Sequence, residues 1–243
     1  MAPRFYVTAP LSPSLVGTKI ALPDAVAHHA IRVLRLSSGA AITLFDGHGG
    51  EYATQLDVVG RHGAQAQILQ FDAVERESPI VVTLALSVLA NDAMDYAVRK
   101  SVELGVASIQ PVIASRSQRA SDKRLAHWRA IAVAACEQCG RNRVPSIDEP
   151  RALDAYLTDR SLQRAVIASP DATFSLPQAA QQSVPSVVII GPEGGFTEQE
   201  VALAVRSGCV AVHLGARTLR ADTAALAALA MLHAVAGDAK IAE

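Results

Sequence analysis

Short apolar runs alternate with helix-like segments through residues 80–237, and this alternation constrains the fold more than any other feature. The run at 80–89 is almost continuously apolar, as expected for a strand that is buried on both faces. Further runs predict strands at 108–114, 165–168, 186–190 and 210–214. Strands that alternate with helices favour a mostly parallel sheet, so the second part of the chain is predicted to be α/β.

Helix signals stand between these strands. Asn91 or Asp92 is predicted to cap a helix that continues to residue 104, and a longer helix is expected over 121–139. Thr197 and Glu200 have the spacing of a capping box, in which each side chain bonds the other residue's backbone N–H. The helix that they begin is expected to end at Gly208.

The first 72 residues have a different texture. Turn signals separate β-like runs at 5–7, 19–22, 41–45, 52–59 and 64–71, and one helix is predicted over 24–36. This pattern is typical of a small β-barrel. The polar segment 75–79 marks the boundary, so we predict one domain over 1–74 and another over 75–243.

Composition limits the function classes. The formal net charge is −1, so a nucleic-acid surface would have to be a local patch. No signal peptide or membrane span is evident, and the three cysteines indicate reduced thiols, so we expect a cytoplasmic protein. Cys136 and Cys139 form a CxxC pair, but no second pair follows, which favours core packing over metal binding.

A glycine-rich loop, 191–196, follows the apolar strand at 186–190 and precedes the capping box. Ligands of open α/β sheets bind beyond the carboxyl ends of the strands, and glycines allow close approach to the backbone. The loop lacks the lysine of a P-loop and the spacing of a dinucleotide fingerprint. Taken alone, it is equally compatible with a plain turn between a strand and a helix.

A second loop, 215–222, repeats this arrangement after the strand at 210–214. It carries Gly215, Arg217 and Arg220, and Asp222 or Thr223 is predicted to cap the helix that follows. We expect the two loops to meet at adjacent strand ends and to form one crevice. Arg220 would then lie near any ligand, although solvated loop cations remain an alternative.

Two further basic groups are candidates for RNA contacts. Arg116 follows the strand at 108–114, where an ordinary surface loop is the alternative. His28, Arg32 and Arg35 lie at i, i+4 and i+7 of the N-terminal helix, opposite Ala27, Ile31 and Leu34. Such a stripe suits phosphate contact, but it is also compatible with a solvated helix face.

Four motifs in order make a resemblance specific. They are ELGVxxIxP from Glu103, EQxGRxxxP from Glu137, GPEGGF from Gly191 and LGxRxLRxxTA from Leu214. Together they resemble the RsmE family of SPOUT methyltransferases. The segment around His28 and Arg35 also resembles the first domain of that family, so the resemblance spans nearly the whole chain.

The resemblance implies an α/β SPOUT domain with a trefoil knot, preceded by a small PUA-like β-barrel domain. It also implies S-adenosylmethionine as cofactor, held by Ile190, Gly191, Gly194, Gly195, Leu214, Gly215, Leu219 and Thr223. Many family members have a glutamate where this chain has Asp222. The shorter side chain puts direct catalytic use of that carboxylate in doubt.

The activity implied is methylation of N3 of a uridine in 16S ribosomal RNA, in free form or in the small ribosomal subunit. Arg220 is the candidate catalytic residue, because a cation favours the uridine anion. The RNA-binding candidates are His28, Arg32, Arg35, Arg116 and Arg141, with a dimer interface as the alternative for Arg141. A SPOUT enzyme for another RNA site, a non-catalytic RNA-binding factor and an ordinary doubly wound nucleotide enzyme are the other interpretations.

The segment 222–236 is apolar around most of its helical circumference. A helix of this kind needs cover on several sides, and one sheet covers only one of them. The family resemblance implies a homodimer through this helix. Burial inside a larger monomer core is the alternative. No membrane and no metal partner are expected.

Overall fold

The computed structural model describes residues 2–59, 63–158 and 164–237. The chain forms two compact units, one of Met1–Glu77 with Cys136–Val144 and one of Ser78–Ala135 with Pro145–Glu243. Residue 1 and residues 238–243, the outer ends of the two predicted domains, lie outside the described residues.

The first unit contains a five-stranded sheet and a short helix. In chain order the elements are β1 (Arg4–Tyr6), β2 (Lys19–Ala21), α1 (Asp24–His28), β3 (Ala41–Phe45), β4 (Glu51–Val59) and β5 (Gly63–Asp72). The strand order is β1-β3-β4-β5-β2, with β1 parallel to β3 and the other pairs antiparallel. All five predicted strands are therefore confirmed to within one residue at each end. Phe5, Ile42, Leu44, Leu56 and Ile68 are among the residues of its core.

The predicted helix over 24–36 is broken in the structure. α1 ends at His28, and a π-helical turn, His29–Val33, follows it. A π turn holds one more residue than an α turn, so the helix face shifts. Ala30 is fully buried in this turn, whereas the side chain of Leu34, which follows it, is 41% exposed. The apolar face predicted from Ala27, Ile31 and Leu34 is therefore wrong at Leu34.

Charged side chains hold residues 136–144 in the first unit. Arg4 donates to Glu51 and to Asn142, and Arg76 donates to Glu51 at 2.8 Å and to the Gly140 carbonyl at 3.2 Å. Hydrogen bonds from Arg76 and Arg4, and their charges, lower the pKa of Glu51 to about 2 although its burial opposes this. Asn142 is fully buried, so this segment forms part of the interior of the unit.

The second unit alternates strands and helices as the sequence predicts. Its elements are β6 (Thr83–Ser87), α2 (Asn91–Glu103), β7 (Ser108–Ile113), α3 (Asp122–Cys139, which ends in the first unit), β8 (Ser146–Ile147), β9 (Arg151–Ala152), α4 (Leu153–Leu157), β10 (Ala165–Ala168), β11 (Phe174–Ser175), α5 (Leu176–Gln182), β12 (Val187–Ile190), α6 (Glu198–Arg206), β13 (Val210–His213) and α7 (Ala221–Ala236).

The sheet of this unit is parallel in every described pair. Its order is β11-β13-β10-β12-β6-β7-β8, and β9 also pairs with β7. β12 is buried at all four positions, as its continuous apolar run predicts. The α/β class with a parallel sheet is thus confirmed.

Helix starts were predicted with mixed success. The capping box at α6 is confirmed, since Thr197 and Glu200 bond each other's backbone N–H groups. The caps predicted for α2 and α7 are wrong. Ala90 and Arg220 occupy the two N-cap positions, and neither uses a side chain as a cap. At the start of α2, the Glu193 carboxylate accepts the Ala90 N–H instead.

The last helix is only partly covered within its own unit. α7 packs against α2 and α5, which bury Ala225, Ala228, Leu229 and Leu232. Its other face carries the half-buried Ala227, Met231 and Val235 and the exposed Ala230 and Ala234. Across the described ranges, no helix combines the length and the apolar character needed to cross a membrane.

Candidate functional site

A cavity of about 660 Å³ lies beyond the carboxyl ends of three strands in the second unit. Its walls come from the loops 168–172 after β10, 191–196 after β12 and 214–219 after β13. Parallel strands bring their carboxyl ends to one edge of the sheet, which is where open α/β folds bind ligands. The position therefore agrees with the site predicted from the two glycine-bearing loops.

One detail of that prediction is wrong. β12 and β13 are not neighbours, because β10 lies between them and pairs with both. The loop after β10 consequently forms a third wall with Ser169, Pro170 and Asp171, which the sequence reasoning did not include. A turn that follows the apolar run at 165–168 was the available signal. Whether such a turn reaches the cavity depends on the order of the strands in the sheet. That order cannot be predicted from a single sequence.

The structure brings together seven of the eight predicted cofactor residues. The cavity wall includes Ile190, Gly191, Gly194, Gly195, Leu214, Gly215 and Leu219. The eighth residue, Thr223, is exposed in the first turn of α7, where Asp222 Oδ1 accepts a hydrogen bond from its backbone N–H at 2.8 Å.

Four glycines in these loops serve two different purposes. A Cβ on Gly191 would lie 3.1 Å from the Phe196 ring, and one on Gly194 would lie 3.0 Å from Arg116 Cδ. These two positions accommodate contacts within the chain. Gly195 and Gly215 have φ of +69° and +120°, and an added Cβ on either would meet no described atom within 4 Å. They leave open space beside the cavity.

The loop after β12 is fastened from two sides. Ala90, at the start of α2, donates its backbone N–H to Glu193 Oε1 at 2.7 Å. Arg116, in the loop after β7, donates from Nη1 to the Gly194 carbonyl at 2.6 Å. Two loops that follow other strands thus determine where 191–196 lies.

Glu200 extends this fastening to the loop of Arg116. Its Oε1 accepts from the Ser115 N–H at 2.7 Å and the Ser115 hydroxyl at 3.0 Å. Its Oε2 accepts from the Thr197 N–H at 2.8 Å and the Thr197 hydroxyl at 3.0 Å. Burial raises the pKa of Glu200, but these four hydrogen bonds outweigh burial and leave the pKa below its ordinary value. One carboxylate therefore joins the start of α6 to the segment that carries Arg116.

A second cavity, of about 620 Å³, adjoins the first. Its walls are Ala90, Asp92, Ala93, Glu193, Arg220, Ala221 and Asp222. Glu193 and Ala221 line both cavities, so the two are contiguous. Arg220, the predicted catalytic residue, is exposed and faces this second cavity.

The predicted RNA-binding residues occupy different environments. His28, Arg32 and Arg35 are exposed on the first unit. Arg116 is exposed, but its guanidinium bonds the glycine-rich loop 191–196, the cofactor loop of the prediction. Arg141 is only 4% exposed and donates to Glu77 from both Nε and Nη2. The placement of Arg141 favours a structural role over the predicted RNA or dimer contact.

The two cysteines of the CxxC pair are withdrawn from solvent to different extents. Cys136 is fully buried, and burial raises the pKa of its thiol to about 12. Cys139 is half-buried at the end of α3. Within the described part of the chain, no three His, Cys, Asp or Glu side chains are grouped so that they could hold a metal ion.

The fold and the cavity define a class of protein. Residues 76–233 match the family described as the RNA methyltransferase domain, and residues 22–69 match the RNA methyltransferase PUA domain. The second unit is therefore an RNA methyltransferase domain, and the predicted PUA-like domain is confirmed.

Individual relatives identify the family within this class. The ribosomal RNA small subunit methyltransferase E of Bacillus subtilis is 30% identical over 84% of this chain and 86% of its own length. The same enzyme of Neisseria gonorrhoeae, solved with S-adenosyl methionine bound, has a TM-score of 0.92 and 41% identity and covers 99% of this chain and 100% of its own. A Legionella pneumophila methyltransferase, solved with the same cofactor, has a TM-score of 0.90 and 33% identity over 98% of this chain and 99% of its own. The chain belongs to the ribosomal RNA small subunit methyltransferase E family, which confirms the resemblance seen in the sequence.

Proposed function

We propose that this protein transfers a methyl group from S-adenosylmethionine to N3 of a uridine in 16S ribosomal RNA. One observation carries the proposal: the cavity formed at the ends of β10, β12 and β13 has the family's glycine motif as its wall. Two similar proteins, from Neisseria gonorrhoeae and Legionella pneumophila, bind this cofactor in their solved structures. The substrate is the RNA itself or the small ribosomal subunit.

The cavity fits the cofactor. Gly195 and Gly215 have backbones that favour glycine and open space where a side chain would stand, so they form a cradle that a Cβ would fill. The cofactor, held by the seven predicted residues of the cavity wall from Ile190 to Leu219, supplies an electrophilic methyl group on a sulfonium. The chain supplies binding, orientation and charge.

Arg220 is the residue that we assign to catalysis. It lines the cavity next to the cofactor site, and we place the acceptor base there. N3 of uridine has to lose a proton, and a nearby guanidinium stabilises the anion that remains. An arginine is effectively always protonated, so it serves as this cation and not as the proton acceptor.

RNA contacts are assigned to the exposed residues of the N-terminal domain, His28, Arg32 and Arg35. Arg116 lies in the loop after β7 and bonds the cofactor loop, so any RNA contact that it makes is coupled to that loop. We propose that residues 1–74 bind RNA and that residues 75–243 transfer the methyl group. We also propose the trefoil knot that the family resemblance implies.

We also propose a cytoplasmic homodimer. The half-covered face of α7, with Ala227, Met231 and Val235 at its centre, supports pairing of two copies about a two-fold axis. Work on ribosomal RNA requires the compartment in which ribosomes are assembled.

The test is methylation of small ribosomal subunits from cells that lack this protein. Purified protein and labelled S-adenosylmethionine are added, the RNA is digested to nucleosides, and the product is identified by mass spectrometry. We expect 3-methyluridine from a single site. A ribose-methylated nucleoside would show that the protein has a different SPOUT methyltransferase activity. If the protein binds the cofactor but methylates neither RNA nor subunits, the proposed function is wrong.

A further inference from the structure

The second cavity has a shape and a chemistry of its own. Small apolar side chains, Ala90, Ala93 and Ala221, form part of its wall, and Arg220 stands among three carboxylates, Asp92, Glu193 and Asp222. It opens into the cofactor cavity through the walls they share. A group seated in it would therefore lie next to a cofactor bound in the first cavity.

This composition suits a uracil ring. Enzymes that modify a base hold its faces between apolar side chains and read its edge by hydrogen bonds. The uracil edge presents a carbonyl oxygen, the N3–H and a second carbonyl oxygen. An arginine donates to a carbonyl oxygen, and a carboxylate accepts from N3–H. Cytosine presents an acceptor at N3, so a carboxylate there would face a lone pair.

The three carboxylates differ in how they are held. Glu193 uses Oε1 to accept the Ala90 N–H at 2.7 Å, which ties it to the start of α2. Asp92 is exposed in the first turn of α2. Asp222 is half-buried, and its Oδ1 accepts from the Thr223 N–H at 2.8 Å and the Thr223 hydroxyl at 3.4 Å. That contact orients the Asp222 carboxylate and directs Oδ2 elsewhere.

A proton acceptor works best when it is held in position and partly shielded from water. Asp222 meets both conditions, and Asp92 is the more exposed of the two. The aspartate is shorter than the glutamate of many family members, but its reach is sufficient here because Asp222 itself lines the cavity. Asp222 also lies two residues from Arg220, at the same end of α7, so one helix end presents a donor and an acceptor to the same cavity.

We propose that the second cavity is the uracil subsite and that Asp222 accepts the N3 proton, an inference that rests on the proposed function. The N3–H bond breaks, and its proton passes to Asp222 Oδ2. The N3 electron pair attacks the methyl carbon. The N3–C bond forms as the S–C bond breaks, and the sulfonium becomes the neutral thioether of S-adenosylhomocysteine. Arg220 donates to a uracil oxygen that carries the negative charge in the meantime.

The test is the pH dependence of single-turnover methylation on small ribosomal subunits with saturating cofactor. Asp222→Asn keeps an oxygen for the Thr223 N–H but cannot take up the proton. We expect its rate at neutral pH to fall by about 10²–10³, within the usual contribution of a general base. The rate should rise about tenfold per pH unit, because only pre-ionised uridine then reacts, and approach the parent rate at high pH.

Three further variants make the result decisive. Asp222→Glu keeps a carboxylate and should keep the parent's pH profile. Asp92→Asn tests the competing carboxylate of the same cavity. Asp122→Asn removes a first-turn carboxylate from α3, away from both cavities, and controls for the loss of a helix-terminal charge.

A pH profile like the parent's in Asp222→Asn overturns the proposal. It is also overturned if the loss of rate at neutral pH appears in Asp92→Asn and not in Asp222→Asn. If Asp222→Asn also loses cofactor affinity, the Asp222→Glu variant decides whether the carboxylate takes the proton. A glutamate variant that is slow at neutral pH and recovers its rate at high pH would contradict that role. Failure of the proposed function is distinguishable, because the parent itself would then yield no 3-methyluridine.

Discussion

Glu200 offers the most direct test of how the cofactor cavity is built. Its carboxylate accepts four hydrogen bonds, two from Thr197 and two from Ser115, and Arg116 in the Ser115 loop fastens Gly194. Replacing Glu200 by Ala removes all four bonds. We expect both a loss of stability and a looser cofactor loop.

The size of the stability loss follows from these contacts. A capping residue is worth about 1 kcal/mol, and a hydrogen bond to a charged group about 1.5–3 kcal/mol when buried. Glu200 is half-exposed, so water replaces part of what is lost. We expect a decrease of about 2–3 kcal/mol in the unfolding free energy of the second unit. A loosened Arg116–Gly194 contact should weaken cofactor affinity about tenfold, or about 1.4 kcal/mol.

A second capping box in the same unit provides a matched control. At the start of α5, Ser175 and Gln178 bond each other as Thr197 and Glu200 do, and neither residue lines the two cavities. Gln178→Ala should cost about 1 kcal/mol and leave cofactor affinity unchanged. The difference between the two variants isolates the link from Glu200 to Ser115.

The assays are thermal unfolding and calorimetric titration with S-adenosylmethionine, for Glu200→Ala, Arg116→Ala and the double variant. If the carboxylate acts through Arg116, the two affinity losses are not additive. Additive losses, or a Glu200→Ala variant that binds as tightly as the parent, would refute the reasoning.

The pKa shift of Glu200 also determines how its contribution to stability changes with pH. The folded protein holds the pKa of Glu200 below its ordinary value of 4.5. The stabilisation is therefore fully present above that ordinary value and is lost as pH falls through the lower, folded value. The parent and Glu200→Ala should differ most near neutrality and converge in acid.

Four other predictions address the remaining assignments. Gly195→Val places a branched side chain at φ +69° beside the cavity and should greatly weaken cofactor binding by calorimetry; unchanged affinity would place the cofactor elsewhere. Replacing Arg32 and Arg35 by Ala should weaken RNA binding and flatten its salt dependence without changing cofactor affinity, and an unaltered salt slope would identify a solvated face. Arg220→Ala should slow methyl transfer about 10²–10³-fold with cofactor affinity nearly unchanged, and Arg220→Lys should recover part of the lost rate. If Arg220→Ala reacts at the parent rate, another residue stabilises the uridine anion. Sedimentation at micromolar concentration should give a dimer of the 25.5 kDa chain, and a monomer alone would contradict pairing through α7.

Local signals in the sequence determined much of the fold. β10 was predicted residue for residue, and β12 and β13 to within one, because continuous apolar runs bounded by turns have few other uses in a parallel sheet. The Thr197–Glu200 capping box was legible because both partners lie within one helical turn. The four spaced motifs identified the family and, with it, seven residues of the cavity wall.

Contacts between distant segments decided the rest. The order of strands inserted β10 between β12 and β13 and made 168–172 a wall of the cavity. Glu193 approaches the start of α2 from about a hundred residues away, which no helix-cap pattern reveals. Arg116 and Arg141 look alike in sequence as basic loop residues, yet one fastens the cofactor loop and the other is buried against Glu77. Propensity and periodicity act over a few residues, whereas a side chain's partner depends on which segments the sheet and the core bring together.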